Sequence, residues 1–119
     1  MNKEQDYKKL VEQFSQAAER MSEAIMKGDW RENNKWAKKQ ANAFQQIIAI
    51  GDIARDELLT LLEHQSLSVV LSAAVFSLKY DTAKSIATLE QIAATDSGII
   101  GFQAEQALQR WKEGSWQLE

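Results

Sequence analysis

Few side chains in this sequence are equipped for chemistry, and their spacing decides what they could do. The only histidine, His64, follows Glu63, and there is no cysteine. A metal or catalytic site needs several convergent ligands, and no second His or Cys exists to join His64. At the end of an apolar helical segment, a histidine is explained by the helix dipole. Asp52 with Asp56, or Asp56 with Glu57, can be drawn as a metal pair, but carboxylates in a first helical turn are good dipole partners without one. The stretch Ser97-Gly98-Ile99-Ile100-Gly101-Phe102 resembles a phosphate-cradling helix start. It lacks the lysine and the preceding strand of such loops, so close helix packing accounts better for its glycines. No serine lies in a Gly-x-Ser-x-Gly turn. These residues predict no enzyme, no metal and no cofactor.

What remains is surface. Arg31, Lys35, Lys38 and Lys39 follow each other at helical spacing and form one basic stripe, with Trp30 and Trp36 close by. A nucleic-acid reader can be built from such parts. Trp30, however, falls on an apolar seam that assigns it to the core, and four cations in a net-acidic chain give little counterion release. Val70-Leu71-Ser72-Ala73-Ala74-Val75-Phe76 has more apolar positions than one helix face buries. Leu71 and Val75 either pack beneath a neighbouring helix or belong to an exposed binding patch.

The elements that must position these residues are helical. Tyr7, Leu10, Val11, Phe14, Ala17, Ala18, Met21 and Ile25 recur at steps of three and four, predicting a helix that Gly28 stops. Asp29 with Glu32 has capping-box spacing for a second helix, whose seam reads Trp30, Asn34, Ala37, Ala41, Phe44 and Ile48, with Ile47 beside it and Gly51 as a left-handed cap. Four shorter helices follow. One runs Ile53 to Glu63; the others begin at Ser66, at Asp81 or Thr82, and at Asp96 or Ser97, the last ending at Gly114. The fold class is therefore all-α: about six antiparallel helices in three hairpins, a HEAT-like α-solenoid, with a four-helix bundle as the alternative. One domain covers 1–119, as a long hairpin over 1–51, shorter hairpins over 52–80 and 81–114, and a tail over 115–119. Trp116 and Leu118 are costly to expose and are expected to pack the tail onto the last pair.

Composition agrees. Hydrophobic residues make up 45% and charged residues 26% of 119, and proline is absent, which suits a folded helical chain better than a disordered or all-β one. No apolar stretch has the length of a signal-peptide core or a membrane span, so a cytoplasmic protein is expected, acting on no membrane. The net charge of −3 is uneven: residues 1–50 hold nine Lys/Arg against seven Asp/Glu, and residues 51–119 five against ten. An acidic half attracts basic surfaces and repels nucleic acid.

Val70-Leu71-Ser72-Ala73-Ala74 with Leu78 resembles the second helix of a HEAT repeat, usually Val-Arg-x-x-Ala or Val-Arg-x-Ala-Ala. Leu71 stands at the arginine position, which removes the Asp–Arg ladder that ties many such repeats together. From about Tyr7 to Gly114 the chain is also similar to a small bacterial HEAT-like family. The matching features are Asn33-Asn34, Ile50-Gly51, Leu58 to His64, and Ala104-x-x-Ala107-Leu108-x-x-Trp111-x-x-Gly114. That family includes immunity proteins of contact-dependent growth inhibition. The resemblance implies a protein, monomeric when free, that neutralises a cognate toxin C-terminal domain, a nuclease of the tRNase or DNase kind, with no small-molecule substrate. The alternatives are a helical adaptor for another protein or a HEAT-like nucleic-acid-binding module. The binding face implied lies on the second, fourth and sixth helices, at Trp36, Gln40, Leu71, Ser72, Val75, Gln103 and Gln106. Glu63, Asp81 and Asp96 would form its acidic rim.

Overall fold

The computed structural model describes residues 3–114. Six α-helices account for most of them: α1 (Lys3–Lys27), α2 (Trp30–Ile50), α3 (Asp52–Leu59), α4 (Leu67–Ser77), α5 (Thr82–Thr95) and α6 (Ile99–Glu113). A 3-10 turn, Thr60–Glu63, follows α3, and no strand occurs among the described residues. The fold is all-α. The chain divides into two compact units, residues 1–61 and 62–119. Segment 52–80, read from the sequence as one hairpin, contributes α3 to the first unit and α4 to the second. The tail with Trp116 and Leu118 lies outside the described residues.

In the first unit α1 packs along α2, and α3 packs against both. The buried positions of α1 are Tyr7, Val11, Phe14, Ala17, Ala18 and Ala24. The first five belong to the predicted stripe, whereas its Leu10, Met21 and Ile25 are half-buried and Ala24 takes a place the spacing did not assign. Gly28, at φ +73°, ends α1 in a conformation that disfavours side chains, and Asp29 caps α2 by accepting from the Glu32 N–H at 3.1 Å. The capping box stays half-made, because the Glu32 carboxylate accepts instead from Trp36 Nε1 at 2.9 Å.

The core side of α2 differs from the expected seam. Gln40, Ala43, Phe44 and Ile47 are buried, whereas Trp30 is 67% exposed. Trp30 lies in the first turn, where the burying surface ends, and the core is served by a face containing the polar Gln40. The Gln40 amide is satisfied there by donating to the Phe14 carbonyl at 3.4 Å. Gly51 has φ +118° and ψ −161°, so it is a glycine-favouring link rather than a left-handed helical cap.

In the second unit α4 packs against α5 and α6, which pack on each other. The core gathers Val70, Leu71, Ala74 and Leu78 around Leu89 and Ile92 of α5 and Ala104 and Ala107 of α6. Burying each large aliphatic side chain contributes about 1.5–3 kcal/mol. Alanines at 74, 104 and 107 let the helices approach closely, as their small size predicts. Gly101 is also closely packed: an added Cβ would overlap the Asp96 backbone carbonyl.

Candidate binding surfaces

The residues expected to form a binding face fall in both units. Trp36 and Gln40 are in the first. Gln40, 2% exposed, is a core residue bonded to the Phe14 carbonyl and offers a partner nothing. Trp36 is half-buried and is surrounded by charge. Lys39 Nζ stands 4.5 Å from the ring centroid, Lys35 Nζ 5.8 Å and Arg20 Cζ 5.9 Å. Its indole N–H is tied to Glu32, and Arg20 also faces Glu23 at 3.6 Å. The cation–π contacts anchor three basic side chains around one part-buried ring.

The other five lie in the second unit. Leu71 is a member of the hydrophobic core and Val75 packs against it, so the surplus apolar flank of α4 is packing and Leu71 is not a contact residue. A helix apolar on nearly every side is a buried helix, which α4 is. Ser72, Gln103 and Gln106 are half-buried.

The acidic rim residues serve different ends. Asp96 closes α5, and its Oδ2 accepts from the Gly101 N–H at 2.8 Å. It therefore satisfies a donor that the start of α6 leaves open, a structural task rather than a free charge. Of the glycines in Ser97-Gly98-Ile99-Ile100-Gly101, Gly101 serves that junction, whereas Gly98 has room for a side chain. Asp81 occupies the cap position of α5 without a side-chain cap bond and is half-buried. Glu63 is exposed beside His64, whose Nδ1 accepts from the Ser66 N–H at 3.0 Å and braces the turn into α4. Asp52 pairs with Arg55 within α3. Among the described residues, no group of three or more His, Cys, Asp or Glu is placed to hold a metal ion.

Two accessible features of the second unit escaped the sequence reading. Ile99 and Phe102, 49% and 58% exposed, stand one helical step apart on α6. The spacing could have placed them: Phe102 is two residues from Ala104, on the side opposite Ala104 and Ala107. The second feature is a groove of about 380 Å³ between the start of α4 and α5. Val70 and Ile92 line it with Leu67, and Glu63, Lys84 and Gln91 give it polar walls. It can receive a partner's side chain and offer both charges and an amide at the rim. Residues 62–119 carry four Lys/Arg against seven Asp/Glu, so these features belong to a net-negative unit.

No family model and no curated protein matches the chain. Among solved structures it is similar to the crystal structure of the protein RPA1889 from Rhodopseudomonas palustris CGA009. The TM-score is 0.86 at 21% identity, over 95% of this chain and 93% of that one. A likeness at this identity shows the all-α fold. No helix among the described residues is long and apolar enough to cross a membrane.

Proposed function

We propose that this protein works by binding another protein, and that its partner is a basic toxin domain, of the nuclease kind, which it neutralises. The observation that carries the reading is the exposed pair Ile99 and Phe102 on a net-acidic helical unit. Large apolar side chains left in water are anchors in want of a pocket, and a surrounding negative charge steers a positive partner to them. The family resemblance at Leu58 to His64 and at Ala104 to Gly114 supports the same partner class. Binding alone suffices for neutralisation, so no catalytic group is required of this chain.

The test is co-expression with the C-terminal domain of a large secreted protein encoded beside it. Restored growth, with both chains recovered as one complex, supports an immunity protein. If the neighbouring domain is harmless, or kills cells despite this chain, the immunity reading fails, and a general adaptor role is left to test by its own partner.

A further inference from the structure

The first unit carries a surface of the opposite character, beside a tryptophan that the sequence assigned to the core. Trp30 is 67% exposed at the start of α2. Behind it, on the solvent face of the same helix, stand Arg31, Lys35 and Lys38, all exposed, and Lys27 is exposed at the end of α1. Beyond Glu32, α2 contains no acidic residue. Among the described residues, none of Lys27, Arg31, Lys35 and Lys38 has an ion-pair partner within 4.0 Å. Lys35 is held toward Trp36 together with Lys39 and Arg20. Glu23, Asp29 and Glu32 share the pocket of Trp36 and Lys27, so the uncompensated positive charge on this helix is that of Arg31, Lys35 and Lys38.

We propose that this face of α2 binds a single-stranded nucleic acid, with phosphates on Arg31, Lys35 and Lys38 and an unpaired base stacked on Trp30. An exposed indole offers a stacking platform to any unpaired base, and lysines one helical turn apart track a phosphate backbone. A protein partner fits the face less well, because lysine is depleted where proteins meet. An anionic lipid surface fits less well too. It would press on the turn between α1 and α2, where Asp29 is exposed. A strand with one base on Trp30 can run from there along α2 over Arg31, Lys35 and Lys38, leaving the turn behind. The site belongs to the first unit and shares no residue with Ile99 and Phe102 of the second, so it stands or falls independently of the toxin reading.

The experiment is fluorescence anisotropy of a labelled oligothymidylate of about ten nucleotides, a length suited to one such site, titrated with the full chain. Binding is expected at about 50 mM salt, and log affinity should fall against log salt with a slope of about −2, since each neutralised phosphate of a single strand adds about −0.7. Trp30→Ala should weaken binding about tenfold, the loss of one base-stacking contact. Lys35→Glu with Lys38→Glu should abolish it, and Phe102→Ala should leave it unchanged. All of these positions are exposed, and circular dichroism of each variant checks that the fold is kept. Absence of binding at low salt, or binding indifferent to Trp30→Ala, overturns the proposal. So does polyglutamate or an anionic vesicle binding more tightly through the same residues, which would assign the face to an acidic protein or a lipid surface.

Discussion

Replacing Gly101 by alanine sets two physical rules against each other, and the structure decides between them. Helix propensity alone makes glycine to alanine within a helix stabilising by about 0.8–1.0 kcal/mol. The geometry says otherwise. A Cβ at Gly101 would collide with the backbone carbonyl of Asp96. That carbonyl cannot swing aside as a side-chain end could. The Asp96 N–H is fixed to the Ile92 carbonyl at 2.9 Å, and its carboxylate holds the Gly101 N–H at 2.8 Å. Relief requires α6 to move from the end of α5, which costs about 1–3 kcal/mol as overpacking does elsewhere. The capping bond adds about 1 kcal/mol to the loss. After the propensity gain, Gly101→Ala should destabilise by about 2 kcal/mol, lowering the melting temperature by roughly 6–8 °C. Gly98→Ala is the matched control. Its Cβ would meet the Asp96 carboxylate oxygens at 3.7 and 3.8 Å, an ordinary contact, so a change within about 0.5 kcal/mol is expected. Urea and thermal unfolding followed by far-ultraviolet circular dichroism measure both. Gly101→Ala as stable as the parent, or more so, would refute the reasoning by its sign.

Three further perturbations probe other links. Phe14→Ala removes a fully buried ring and should cost about 3–5 kcal/mol, whereas Phe102→Ala, on the surface, should stay within about 0.5 kcal/mol; equal losses in urea unfolding would show that Phe102 is packing. Gln40→Ala should cost about 2–3 kcal/mol, since it leaves a cavity and removes the bond to the Phe14 carbonyl; a neutral result would mean that the buried amide is not held as described. Asp29→Ala, which strips the cap from α2, should cost about 1 kcal/mol, whereas Asp29→Asn should keep most of it, as paired melting curves will show.

Much of the fold was legible because most helices announce themselves. The α1 stripe from Tyr7 to Ala18, the stop at Gly28 and the cap at Asp29 follow from spacing and from residues with a conformational preference. Where polar groups enter the core the reading slipped. Gln40 looks like surface, and treating it so turned the α2 seam toward Trp30. The bond from its amide to the Phe14 carbonyl, invisible in the sequence, is what lets it be buried. In α4 the difficulty was the reverse. A helix apolar on most sides has no preferred face, so Leu71 could be read as core or as patch until its neighbours in space were known. Asp96 reads as a rim charge from its position near a helix end, yet its carboxylate is bound to the Gly101 N–H five residues on. The exposed pair Ile99 and Phe102 was available from spacing, but the glycines around it drew attention to phosphate chemistry instead.

The central claim, that this chain acts by holding a basic protein through its acidic unit, is tested most directly by calorimetric titration of the purified toxin domain with the parent protein and with Phe102→Ala. A nanomolar complex, weakened at least about tenfold by Phe102→Ala as expected of an interface anchor and loosened by added salt, is the result expected. No heat of binding, or an affinity that ignores both Phe102→Ala and salt, would contradict the claim.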